Sequence, residues 1–238
     1  MKKDWKSYLD SRFYKGIAHR GLHDEKRTEN GLEAFKNAIE HDKAFEYDIH
    51  LTKDGQLVVI HDSELKRVTG KEGIVEEKTL AELKENYRLL DGEEIPSLEE
   101  VLSLNDGRVP MVIELKAYGG SKAIKALAHA ARAALQGRVD PRKAIIISFD
   151  PRALLFFGSK SGFHLSLLVC LEKKWTLSLR NFFDSLDLDQ RLLLDKKVVA
   201  YRKKGHLINA WTIRSLEAQR SAAPYADLIT YENFDYPE

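Results

Sequence analysis

The residues of this sequence that could do chemistry sit at or near the ends of short apolar runs. His19 and Arg20 follow "GIA", Glu46 and Asp48 stand two apart in "AFEYDIH", His61 and Asp62 close "QLVVIHD", and Glu114 and Lys116 stand two apart in "PMVIELK". If these runs are β-strands, that spacing puts each pair on one face, with Tyr47 and Leu115 turned the other way. Glu46, Asp48 and Glu114 converging in a partly dry cavity repel one another, and a hard divalent cation held among them relieves the repulsion. Oxygen-only ligation selects Mg2+ or Ca2+ rather than zinc. His19 and His61, with ordinary pKa values of about 6.5, can divide the work of accepting and donating a proton near neutrality. Arg20 and Lys116 add positive charge suited to an anionic group such as phosphate.

Elements must bring these side chains together. Eight β-rich runs recur along the chain: "GIAH", "AFEYDIH", "QLVVIH", "PMVIEL", "KAIIISF", "HLSLLV", "HLINAWTI" and "ADLITY", with "SLDLD" as a weak ninth. Between them lie amphipathic patterns such as "ENGLEAFKNAIEH" and "SKAIKALAHAARAALQ", with apolar residues recurring at three and four. Such alternation predicts parallel strands with crossover helices, and eight strands in 238 residues favour an α/β fold of the closed (β/α)8 TIM-barrel type over an open doubly wound sheet. In a barrel, the C-terminal strand ends share one mouth, which is where the candidate residues fall. Residues 62–110 are long for a crossover and carry turn signals at "TGKEG" and "LDGEEIP", so they read as a small insertion on the rim after the third strand. Ser97 and Glu100 stand in capping-box register at a helix start. A single domain over residues 1–238 is expected.

With 38 basic and 37 acidic residues and a formal charge of +1, nothing in the totals points to a nucleic-acid partner. The lone Cys170, in "HLSLLVC", reads as a small buried hydrophobe. The chain has no apolar run of membrane-spanning length and no signal-peptide pattern, which predicts a cytoplasmic location. The N-terminal "MKKDWKSYLDSRFYKG" reads as a short helix packed over one end of the domain; its aromatics among basic residues also allow a transient contact with a membrane surface. His41, His129, His164 and His206 read as helix or loop positions, His23 as a solvated loop residue, and His50 as sharing a face with Asp48 towards the turn.

In order and spacing, "HRG" from His19, "ENGLEAF" from Glu29, "EYDIHLTKDGQLVVIHD" from Glu46, "IPSLEEVL" from Ile95 and "IELK" from Ile113 resemble the glycerophosphodiester phosphodiesterase family. The C-terminal half resembles it more faintly, through "IIISFDP" and "AWTI". The resemblance implies that His19 and His61 are the acid-base pair, that Glu46, Asp48 and Glu114 bind one divalent cation, that Arg20 and Lys116 hold the phosphate, and that Trp211 lines the alcohol side of the pocket. It implies hydrolysis of a small-molecule glycerophosphodiester to an alcohol and sn-glycerol 3-phosphate. The alternatives are a phospholipase D-like action on lysophospholipids and a barrel that binds phosphorylated ligands without turnover. The chain departs from the family pattern at three places: Gly31 replaces a threonine, Arg214 an asparagine, and "TYENFDYP" from Thr230 replaces the usual T-D ending. Oligomeric state is left open by the sequence.

Overall fold

The computed structural model describes residues 5–237. Its strands are β1 (Ile17–Ala18), β2 (Ala44–Leu51), β3 (Leu57–Val59), β4 (Met111–Leu115), β5 (Ala144–Ser148), β6 (His164–Val169), β7 (Ser185–Asp189), β8 (Leu207–Ile213) and β9 (Leu228–Tyr231). Eight of them run parallel in the order β1-β9-β8-β7-β6-β5-β4-β2, and pairing of β1 with β2 closes the ring. This is the (β/α)8 barrel expected from the alternation.

Two strand assignments change. "QLVVIH" is not a barrel stave: β3 runs antiparallel to β2, with Ile49 opposite Val59 and Leu51 opposite Leu57. The eighth stave is "SLDLD", the weak ninth run. Both changes have local causes. Arg20 (φ 56°) and Gly21 (φ 83°) turn the chain out of β1 after two residues, so β1 covers only Ala44 and Phe45 of the longer β2. The uncovered edge of β2 folds back on itself through "TKDGQ", where Gly55 takes a left-handed φ of 79° and Thr52 N donates to Gln56 O at 2.9 Å. β7 gives a weak strand signal because its inward positions are Ser185, Asp187 and Asp189. A belt of hydrogen bonds inside the barrel accounts for part of that polarity: Ser166 Oγ donates to Asp187 Oδ2 at 2.6 Å, and Asn209 Nδ2 donates to Asp187 Oδ1 and to Thr230 Oγ1.

The remaining staves follow the period of two. Outward Phe45, Tyr47 and Ile49 pack with Phe35, Leu98 and Leu102 of the surrounding helices, while inward Ala44, Val112, Ile145, Leu207 and Leu228 fill the barrel. Both faces are dry, as a parallel sheet requires. The excursion between β2 and β4 therefore begins at the hairpin rather than at residue 62. It has a small apolar cluster of its own around Val58, Leu65, Val75, Leu83 and Ile95 and ends in the crossover helix Leu98–Asn105, whose Ser97/Glu100 capping box is formed.

Leu9 and Phe13 plug the N-terminal end of the barrel against Ile17, Ala44, Leu207 and Leu228. Trp5 meets the ring of His164 edge-on at 4.5 Å and donates from Nε1 to Asp184 Oδ1 at 3.0 Å. The described part of the N-terminal segment thus packs over the end of the barrel; residues 1–4 of it lie outside the described residues. His164 is not a helix or loop residue but the fully buried first residue of β6, its Nε2 at 2.6 Å from Ser185 Oγ. Cys170 is half-buried just beyond β6. No helix among the described residues is long and apolar enough to cross a membrane.

Candidate active site

At the mouth of the barrel, β2 and β4 lie in a register that sets Asp48 opposite Glu114, with Glu46 one inward position below. The three carboxylates offer oxygens within 4.8 Å of one another, and all three residues are buried. Lys116 Nζ approaches Glu114 Oε1 at 3.0 Å and Asp48 Oδ1 at 3.5 Å. The turn that ends β1 aims backbone as well as side chain at the cluster: Arg20 N donates to Glu46 Oε2 at 2.9 Å, and Arg20 Nε stands 3.7 Å from Asp48 Oδ2. The left-handed backbone of Gly21 is enforced by crowding, since a Cβ there would meet that of Ala34 at 2.9 Å.

Burial raises Glu46 well above the usual carboxylate range, and its neighbours Asp48 and Glu114 add to that. Glu114 is pushed up to about 7 by burial, with Lys116 opposing and Asp48 reinforcing the shift. Asp48 goes the other way: burial would raise it, but Lys116, His61, Arg20 and a hydrogen bond from Asn30 together hold it below its ordinary range. Three acids in one dry space thus share their charge unevenly. They also fit a hard divalent cation. Every donor is an oxygen, and Asp48 Oδ1 is buried without a hydrogen-bond partner among the described residues, the state of a ligand atom awaiting a cation.

His19 and His61 flank this cluster. His19 donates from Nδ1 to Glu232 Oε2, which turns Nε2 towards Glu46 Oε2, 4.0 Å away. Burial lowers the His19 pKa against the pull of that carboxylate, and Glu232 is held low, burial being outweighed by His19 and His23 beside it and by Arg214. His61 arrives just beyond the hairpin arm β3 rather than on a stave. Its Nδ1 is 2.7 Å from Asp62 Oδ1, and burial pushes it down to about 4. Arg67 grips Asp62 and also donates to both oxygens of Glu29, while Glu29 Oε1 accepts from Arg20 at 2.7 Å. Asn30 donates to Asp48 Oδ2 at 2.9 Å. Buried His50 holds the His61 carbonyl from Nε2 at 3.1 Å and faces Glu76 from Nδ1 at 2.7 Å.

A cavity of about 190 Å3 is lined by His19, Arg20, Glu46, His61, Glu114 and Trp211 among others. Trp211 meets Phe149 edge-on at 5.6 Å, and it lines the pocket as well as packing against the interior. The structure thus brings together every candidate residue read from the sequence: Asp48 and Lys116 are tied to the lining acids by the contacts above. Glu232, Arg67 and His50 were missed. An acid immediately after the last stave is the available signal for Glu232; His50, two residues past Asp48 on the same face of β2, carries its signal in that spacing, whereas Arg67 sits in the short helix Lys66–Thr69 of the excursion, where no spacing points to the site.

A model of the glycerophosphoryl diester phosphodiesterase family matches residues 19–222. A glycerophosphodiester phosphodiesterase of Caldanaerobacter subterraneus subsp. tengcongensis is 33% identical over 209 residues, spanning 83% of this chain and 84% of that protein. Among solved structures, a glycerophosphodiester phosphodiesterase from Parabacteroides distasonis superposes with a TM-score of 0.77 at 25% identity, covering 91% of each chain. An Oleispira antarctica phosphodiesterase shares the fold with a TM-score of 0.79 at 22% identity, over 95% of this chain and 94% of that one. The match runs through both halves of the barrel and across the strands that carry the acids and histidines, and this chain belongs to the glycerophosphoryl diester phosphodiesterase family of enzymes.

Proposed function

We propose that the protein hydrolyses glycerophosphodiesters to an alcohol and sn-glycerol 3-phosphate, with residues 1–238 acting as one unit. The observation that carries this reading is that both imidazoles line one small cavity with Arg20, Glu46 and Glu114. The Oleispira antarctica phosphodiesterase was solved in complex with the product sn-glycerol-3-phosphate, and the same ligand chemistry suits the pocket described above. Glu46, Asp48 and Glu114 would hold one Mg2+ or Ca2+, whose chemistry when bound is to withdraw charge from a nonbridging phosphoryl oxygen. Arg20 and Lys116 neutralise the anionic group and orient it. His19, with Nε2 unprotonated, takes the proton from the attacking oxygen as the new P–O bond forms. His61, neutral at its depressed pKa before substrate binds, takes up a proton as the anionic phosphate settles beside it and delivers that proton to the departing alcohol as the old P–O bond breaks. Trp211 forms the wall against which the alcohol rests.

A second reading, action on lysophospholipids, is favoured by one feature. A groove of about 530 Å3 shares Glu114 and Phe149 with the site and continues past Tyr118, Pro151 and Trp175, with Trp175 67% exposed. Its apolar wall suits an acyl chain. The test of both is release of glycerol 3-phosphate from soluble diesters, and of the head-group alcohol from lysophospholipid micelles, with and without chelator. His19→Ala is expected to lose on the order of 10²–10⁴ in turnover and Glu46→Ala to lose its cation dependence with its activity. Undiminished turnover in either variant would remove the mechanism. Micellar activity that survives Trp175→Ala at full rate would remove the second reading.

A further inference from the structure

Two of the three departures from the family pattern meet in space. Arg214, in place of an asparagine beyond the tryptophan strand, donates from Nε to Glu232 Oε1 at 2.6 Å. Glu232, in the altered ending "TYENF", accepts on its other oxygen from His19 Nδ1. We infer that Glu232 is the positioning residue of His19, clamped in turn by Arg214, and that these two positions work as one device fixing which nitrogen of His19 carries its proton.

The argument is one of donor and acceptor inventory. Arg214 has only donors to offer, so the carboxylate must meet it as an acceptor. The remaining oxygen can only accept, and the ring nitrogen facing it must therefore carry hydrogen. That places the His19 proton on Nδ1 and leaves Nε2, the nitrogen 4.0 Å from Glu46 Oε2, with its lone pair turned into the pocket. The backbone reinforces the placement: His19 N donates to Tyr231 O at 2.9 Å, and Glu232 N donates to Ile213 O at 3.0 Å. First stave, last stave and the Arg214 turn are thereby locked at one point. His23 Nε2 lies 3.9 Å from the same Glu232 oxygen and is the second ring nitrogen facing it.

The inference rests on the reading of His19 as an acid-base residue, and its test separates the two. In Glu232→Gln only one oxygen remains. Arg214 cannot accept a hydrogen bond, so the amide oxygen stays with Arg214, the amide NH2 faces His19 Nδ1, and the proton is driven to Nε2. Adding Arg214→Ala frees the amide to turn its oxygen back to His19. Nitrogen-15 NMR of the histidine rings in the full chain should show His19 as the Nδ1–H form in the wild type, the Nε2–H form in Glu232→Gln, and a return towards Nδ1–H in the double variant. On a soluble glycerophosphodiester, kcat should fall on the order of 10²-fold or more in Glu232→Gln with KM within about threefold, and recover in part in the double variant. The thermal shift produced by Mg2+ or Ca2+ should be unchanged, because Glu232 is not among the three clustered acids. An identical His19 tautomer in wild type and Glu232→Gln, or a double variant no better than the single, overturns the inference. A wild type that releases no glycerol 3-phosphate overturns the functional reading instead. Should Glu232→Gln not fold, Arg214→Ala alone is read by the same NMR signal: a shift towards Nε2–H or mixed tautomers supports the clamp, and an unaltered ring with unaltered kcat overturns it.

Discussion

Asp187 should contribute a measurable and separable stretch of the pH dependence of stability. It lies inside the barrel at 3% exposure. Burial, offset only in part by hydrogen bonds from Ser166 and Asn209, pushes its carboxyl up to about 6 from an ordinary value of 3.8. Because the folded value lies above the unfolded one, the folded chain binds more proton between them, and stability falls as pH rises through that interval. The contribution is fully present below about pH 4 and is lost as pH climbs past about 6. At ~1.36 kcal/mol for each pH unit of difference, the loss is about 3 kcal/mol, a large part of the ~5–15 kcal/mol that holds a typical protein folded. Asp187→Asn removes the titration and keeps the contacts, since the amide oxygen still accepts from Asn209 and the Ser166 hydroxyl can rotate to accept from the amide NH2. Urea unfolding of wild type and variant at steps from about pH 4 to pH 8 measures the difference directly. The variant should gain on the wild type by about 2–3 kcal/mol across that range, with half of the full gain reached near about pH 5, midway between the two values. A difference that stays flat with pH would refute the reasoning, because it would mean that the buried carboxyl titrates alike folded and unfolded.

Other consequences are as open to measurement. Lys116→Met leaves three buried acids without their closest cation, so in chelator the variant should lose about 3–5 kcal/mol, and added Mg2+ or Ca2+ should raise its melting temperature more than it raises that of the wild type. Gly21→Ala forces a Cβ onto Ala34 at a φ of 83°, which should cost about 1–3 kcal/mol and depress turnover with it, since the same turn aims His19 and Arg20. Deleting residues 1–15 removes Leu9 and Phe13 from the barrel floor; the expected result is a loss of at least ~3 kcal/mol of stability, affecting soluble and micellar substrates equally. A stable truncated protein impaired only on micelles would restore the N-terminal segment as a membrane contact.

The acids and Lys116 were legible because a period of two is a rigid property of strands: once "EYDIH" and "IELK" are staves, Glu46, Asp48, Glu114 and Lys116 share the interior. The (β/α)8 architecture followed from counting alternations, and the count came out at eight although one stave was misassigned. That error has a physical origin. "QLVVIH" has better strand chemistry than "SLDLD", yet propensity measures fit to a pleated, half-buried surface, not membership of a closed ring. β7 is held by interior partners, Ser166 and Asn209, that lie 21 and 22 residues away and give no local signal. The same holds for Glu232, 213 residues from His19: contacts made by closing a ring leave no trace in neighbouring letters.

The ring is joined between its earliest and latest members, with Ile17 and Ala18 of β1 lying against Thr230 and Tyr231 of β9. During synthesis on the ribosome, β2 through β8 can assemble as an open curved sheet, but β1 has a single neighbour and His19 Nδ1 lacks Glu232 until residues 228–232 have left the exit tunnel. The seam is therefore the strand pairing of greatest chain separation and an entropically costly step of folding. On the role proposed for His19, turnover would wait for that last seam, although the acids of β2 and β4 can already stand side by side.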